Sequence, residues 1–93
     1  MLVSVLTVRL YAEWVSSLKE KRTVVKSLCA KLKNSFNASV CESDKQDVHC
    51  TIVISIAYLA DSNAAADSIQ EKILDFVERT TDAKLVEWRK VRY

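Results

Sequence analysis

The chain of 93 residues contains no glycine and no proline. Average usage of roughly 7% and 5% would put about six and five of them in a chain this long. Without glycine there is no phosphate-cradling P-loop, no dinucleotide fingerprint and no glycine-flanked nucleophile elbow, because each needs a backbone that a Cβ obstructs. Turns fall to Asn, Asp and Ser, whose side chains bond their own backbone or tolerate left-handed geometry. Long apolar runs are also missing, and nothing approaches the ~20 residues a membrane span requires. The N-terminus opens Met1-Leu2-Val3-Ser4-Val5, alternating from the start with no basic segment ahead of it, so no secretory leader is expected. Three cysteines, an odd number, fit a reducing cytoplasmic setting better than a disulfide framework.

The remaining composition is that of a folded domain. Nearly half the residues are apolar and about a quarter charged, which disfavours sustained disorder and makes residues 1–93 a single domain. The net charge of +2 hides a segregation. Residues 1–40 carry seven Lys or Arg against Glu13 and Glu20, residues 41–83 carry nine acids against three cations, and the last ten residues are basic again. A molecule so polarised can steer an acidic partner to one side.

Hydrophobic periodicity supplies the elements. Leu2–Tyr11 alternates as a strand, with Leu2, Ser4, Leu6, Val8 and Leu10 on its core face. Ser17, with Glu20 three residues on, predicts a capping box opening a helix. Leu18, Val25, Leu28, Cys29, Leu32 and Phe36 form the inner stripe of that helix, which ends near Asn34-Ser35 or Asn37. Residues 36–43 read as a short strand with Val40 inward, residues 42–47 as a polar hairpin tip, and His49–Leu59 as a β-branched strand suited to a central position. Asp61-Ser62-Asn63 caps a second helix with Ala66, Ile69, Ile73, Phe76, Val77 and Thr80 inward and Asp67, Glu71, Asp75 and Glu78 outward. Lys84–Tyr93 is a last strand whose phase conflicts: Leu85 and Val91 alternate with one another, Val86 and Trp88 with the opposite face, as a β-bulge would produce. The order strand, helix, strand, strand, helix, strand predicts an α+β, ferredoxin-like βαββαβ sandwich, an antiparallel four-stranded sheet with two helices on one face.

The segments Ser17-Leu18-Lys19-Glu20-Lys21-Arg22 and Val24-Val25-Lys26-Ser27-Leu28, then Phe36-Asn37-Ala38-Ser39-Val40 and Glu42-x-Asp44-x-Gln46-Asp47, resemble the YlxP-like family of small bacterial domains of unknown function. The similarity runs from Met1 to about residue 78. The resemblance implies a ferredoxin-like fold, frequent dimerisation and a genomic setting among translation and ribosome-maturation genes. It brings no catalytic residue. At residues 12–15 the chain departs from the family pattern, with Trp14 where other members often carry proline or glycine.

The first candidate site is the basic flank of helix one: Lys19, Lys21, Arg22, Lys26 and Lys33. Lys and Arg in a helical row neutralise backbone phosphate without reading sequence, so structured RNA is the partner they would suit. The competing reading is a solvated flank, or one paired with the acidic second helix. Lys21 falls at a helical angle on the buried arc, which neither reading explains. The second candidate is the open sheet face, Val3, Val5, Thr7, Arg9 and Tyr11 with Val53, Ser55 and Ala57. It has too few aromatics for base stacking, and its apolar end suits burial against another protein, most simply in a homodimer.

Glu42, Asp44 and Asp47 at the hairpin tip could hold a hard cation but read better as turn residues. His49, Cys41 and Cys50 lack the spacing of a zinc site, and Cys29 reads as a core residue. Direct pairing of Cys41 with Cys50 would require the wrong strand parity for Val40. No metal, cofactor, membrane contact or small-molecule substrate is indicated. The expectation is a cytoplasmic, non-catalytic binding module contacting ribosomal or other structured RNA; the alternative is a protein–protein adaptor or structural homodimer with no nucleic-acid role.

Overall fold

Strict alternation makes β1, Leu2–Tyr11, the strand on which the sheet is built, and β3, Thr51–Ala60, pairs with it along its whole length from Leu2↔Ala60 to Tyr11↔Thr51. The computed structural model describes residues 1–93. The elements are β1, α1 (Leu18–Ser35), β2 (Ser39–Asp44), β3, α2 (Asn63–Thr80) and β4 (Lys84–Arg92). All strand pairings are antiparallel, in the order β2-β3-β1-β4. The architecture is the expected ferredoxin-like βαββαβ arrangement, and the β-branched β3 is central, as its composition predicts.

One sheet face packs against both helices. Leu6, Val8, Leu10, Ile52, Ile54 and Ile56 are completely buried there. Each such side chain contributes roughly 1.5–3 kcal/mol when removed from water, so this face is the main source of the fold's stability. From the helices, Val25, Leu28 and Leu32 of α1 and Ala66, Ile73 and Val77 of α2 meet it.

The helix ends follow the sequence with one adjustment. Ser17 is the N-cap of α1 and its Oγ accepts from the Glu20 amide at 3.1 Å. The return bond from Glu20 goes not to the Ser17 amide but one residue earlier: the Ser16 N–H donates to Glu20 Oε1 at 2.7 Å. Ser62 caps α2 in the same way through the Ala65 amide. On the inner face of α2, Gln70 is buried where a polar residue was not anticipated. Tyr58 of β3 anchors the first turn by donating from its hydroxyl to the Ala66 carbonyl at 3.0 Å. Phe36 terminates α1 in extended backbone and meets Phe76 edge-on, centroids 5.5 Å apart, an arrangement that favours the ring quadrupoles.

The strands also differ in extent from the periodicity reading. β2 begins at Ser39 rather than Phe36, and β3 at Thr51 rather than His49. Val40 faces Ile56, so the parity deduced from the core pattern holds, while Cys41 lies opposite Ser55 rather than Cys50. In β4 the conflict of phase is resolved by a bulge. Leu85 opposes Leu10 and Glu87 opposes Arg9, leaving Val86 unpaired. Leu85, Trp88, Lys90 and Arg92 therefore share the helix side, and Glu87, Arg89 and Val91 the open side.

Candidate nucleic-acid interface

Lys19, Arg22, Lys26 and Lys33 recur on α1 at spacings that keep them within one narrow arc, and all four are exposed. At 1.5 Å per residue the row is about 21 Å long. None of the five ion pairs in the molecule includes any of these cations. Two of the four acids of α2 are engaged elsewhere, and the other two, Glu71 and Glu78, form no ion pair. Asp67 takes Arg92 at 2.7 Å and Lys90 at 3.3 Å, and Asp75 takes Arg79 at 2.8 Å. The row on α1 is thus not neutralised by the acidic helix. Arg92 and Lys90 hold the exposed Asp67 carboxyl below the usual carboxylate range, hydrogen bonding from Arg92 being the larger cause.

Lys21 does not belong to that row. The residue is buried, and its side chain runs inward beneath the β2–β3 hairpin. Its Nζ donates to the carbonyls of Lys45 at 2.5 Å and Val48 at 2.7 Å, and lies 2.8 Å from Glu42 Oε2. Glu42 reaches it because it is an inward residue of β2, paired with Ile54. A buried ammonium is tolerable only when partnered in this way. Lys21 is therefore a fixture between α1 and the hairpin, and a nucleic acid has no access to it.

The same arrangement accounts for the hairpin tip. Glu42 turns inward to Lys21, while Asp44 Oδ1 accepts from the Lys45 amide at 2.7 Å. The two carboxylates diverge, Glu42 to the Lys21 ammonium and Asp44 to the amide of the next residue. Lys45 has φ of +57°, the left-handed region, in a chain with no glycine to place there.

His49 and Cys50 lie against the 12–15 connection. His49 Nδ1 is 3.0 Å from the Val15 carbonyl and 3.1 Å from Cys50 Sγ, which itself donates to that carbonyl at 3.3 Å. These contacts, with the Ala12 amide donating to the Cys50 carbonyl, fix the connection that carries Trp14. On α1, partial burial pushes the Cys29 thiol up, the field of Lys33 opposes this, and Cys41 and Glu42 add to it.

The open sheet face has two halves. At one end Val3, Leu59, Val91 and Tyr93 are exposed, with Val5 and Ala57 half-buried among them. A cleft of about 720 Å³ continues from this end past the start of β2, lined by Val3, Phe36, Ala38, Ala57, Leu59 and Ile69 among others. The other half is polar. Thr7 Oγ1 and Ser55 Oγ lie 2.9 Å apart, and Ser55 donates on to Ser43 Oγ at 2.7 Å. Arg9 is paired with Glu87 at 3.3 Å, and Tyr11 is exposed beyond it. Val53, paired with Asp44, is 8% exposed and offers little to a partner. The sequence reading omitted Leu59, Arg89, Val91 and Tyr93 from this face; the last three needed the bulge at Val86 to place them.

Fold and surface together define a small ferredoxin-like α+β domain with an uncompensated cationic row on its first helix. The chain belongs to the family described as "Protein of unknown function (DUF503)", which it matches over residues 3–90. It is 32% identical over 62 residues to the "Uncharacterized protein YlxP" of Bacillus subtilis (strain 168), 67% of each chain. Among solved structures it is similar to the de novo designed protein Foldit4, with a TM-score of 0.50 and 17% identity over 97% of this chain and 94% of that one. At that identity the likeness speaks for the fold alone.

Proposed function

We propose that this protein is a non-catalytic module that docks on the phosphate backbone of structured RNA through Lys19, Arg22, Lys26 and Lys33, in translation or ribosome maturation. The observation that carries the reading is the absence of any acidic partner for these four exposed cations. Folding does not require them, since the core contacts of α1 are made by Val25, Leu28 and Leu32. Cations in such a row release condensed counterions when they meet phosphate, so binding weakens steeply with salt. The test is filter binding of a fluorescein-labelled RNA stem-loop over a salt series. Lys19→Glu, Arg22→Glu and Lys26→Glu together are expected to lower affinity by tenfold or more, and the salt slope by about 0.9 per phosphate contact removed. Unchanged binding by the triple variant defeats the proposal.

A second reading rests on the exposed apolar end of the sheet, Val3, Leu59, Val91 and Tyr93. A second copy of this chain laid on that end would bury it, and such a homodimer needs no nucleic acid. Light scattering of the protein and of Leu59→Lys separates the cases: a dimer that dissociates on substitution supports self-association there, and a monomer at high concentration removes it.

A further inference from the structure

A cleft of about 370 Å³ opens on the polar half of the open sheet face, on the far side of the sheet from the helices. Thr7, Arg9, Asp44, Lys45, Glu87 and Arg89 line it, together with Val53. Three cations there meet two carboxylates, a surplus of one positive charge. Glu87 pairs with Arg9, and Asp44 accepts from the Lys45 amide. The guanidinium of Arg89 and the ammonium of Lys45 have no acid within ion-pair distance. Arg89 lies directly across from Thr7, whose hydroxyl heads the chain Thr7–Ser55–Ser43 running over three strands. Unpaired cations beside reorientable hydroxyls form a site suited to phosphate oxygens.

Lys45 carries a second, independent sign. Its left-handed backbone is the geometry that glycine or asparagine adopts at least cost, and a lysine there is strained. Strain of this kind persists where surrounding contacts over-determine the backbone, and it gathers at binding sites. Here the contact is Lys21, whose buried ammonium holds the Lys45 carbonyl at 2.5 Å. The fixture that secures the hairpin to α1 thereby also sets the direction in which Lys45 leaves the backbone.

We infer that this cleft, through Arg89, Lys45 and the Thr7 hydroxyl, is a second phosphate contact for the same RNA. The inference rests on the RNA-binding reading of α1 and extends it. The hairpin tip is fastened to the first half of α1 through Lys21, so Lys45 holds a fixed position relative to that helix, beside the exposed acids Asp44 and Asp47. The RNA would pass around this end of the molecule, not along the helix alone.

The stem-loop binding assay tests this with Arg89→Glu, Lys45→Asn and Lys26→Glu measured in parallel. Arg89→Glu and Lys45→Asn are each expected to weaken binding about fivefold and to lower the salt slope by about one. Asparagine suits left-handed backbone, so Lys45→Asn should hold or raise the melting temperature while losing affinity; a merely structural lysine would not divide the two readouts. Wild-type binding and slope in both cleft variants, with Lys26→Glu weakened, would overturn the cleft and leave the helix reading standing. Loss in the cleft variants with Lys26→Glu unaffected would sink the helix reading and keep the cleft. Inorganic phosphate at matched ionic strength should not displace the RNA; displacement would reassign the cleft to a free phosphate and overturn it as an RNA contact.

Discussion

Lys21 of α1 and Glu42 of β2 form an ion pair of 2.8 Å inside the molecule, Lys21 side chain 2% and Glu42 18% accessible. The two lie on elements that share no hydrogen-bonded ladder, and Lys21 adds two carbonyls of the hairpin tip to the contact. This one ammonium fastens the β2–β3 hairpin to the helix.

Removing it should be costly. Lys21→Ala leaves Glu42 without its counterion and the Val48 carbonyl without this donor, while the Lys45 carbonyl keeps the Val48 amide, a loss of about 3–5 kcal/mol for a buried pair broken on one side. Lys21→Met with Glu42→Leu removes both charges and should recover much of that loss. Urea unfolding of the single and double variants checks this; equal destabilisation by both would mean that the hairpin depends on the carbonyl contacts alone.

The pair of Asp67 with Arg92 and Lys90 predicts a pH dependence. Its carboxyl is held below the usual range, so the folded state binds that proton less readily than the unfolded chain does. The stabilisation is complete above the ordinary carboxylate value and is lost as pH falls through the depressed one. Asp67→Asn should therefore narrow its deficit in melting temperature relative to wild type on acidification and show its full deficit near neutrality. A deficit independent of pH would refute the assignment.

The three thiols should react unequally. Cys41 is exposed on edge strand β2, whereas Cys29 is half-buried with its thiol pushed up by burial. Because thiolate is the nucleophile, iodoacetamide should label Cys41 ahead of Cys29, as read by peptide mass mapping over time. The reverse order would contradict the placement of Cys29 in the core stripe.

The serine caps offer a smaller, cleaner test. Ser17→Ala and Ser62→Ala each leave one amide of the first helical turn without its acceptor and should each cost about 1 kcal/mol. The caps sit on different helices, so the double variant should lose the sum within about 0.5 kcal/mol, measurable by denaturant midpoint.

The fold was legible because its information is local. Alternation in Leu2–Tyr11 and the β-branched run of β3 name the core face directly, and Ser17 and Ser62 mark both helix starts. Lys21 was not legible as what it is. Its helical angle places it on the buried arc, yet the acid and carbonyls that justify it lie more than twenty residues away on a hairpin whose docking no periodicity encodes. The cationic row on α1 could be drawn from spacing alone. Arg89 of the cleft could not, because its face depends on the bulge at Val86.

That bulge has a consequence for the whole electrostatic surface. Val86 is uncharged, exposed and unpaired, yet every side chain after it takes its face from it. Were Val86 taken into a regular ladder after Leu85, Arg92 and Lys90 would swing away from Asp67 and Arg89 would pass from the open face to the helix side. The distribution of positive charge between the two sides of this sheet thus depends on a neutral residue being left out of the ladder, and removing Val86 altogether would keep that distribution while straightening the strand.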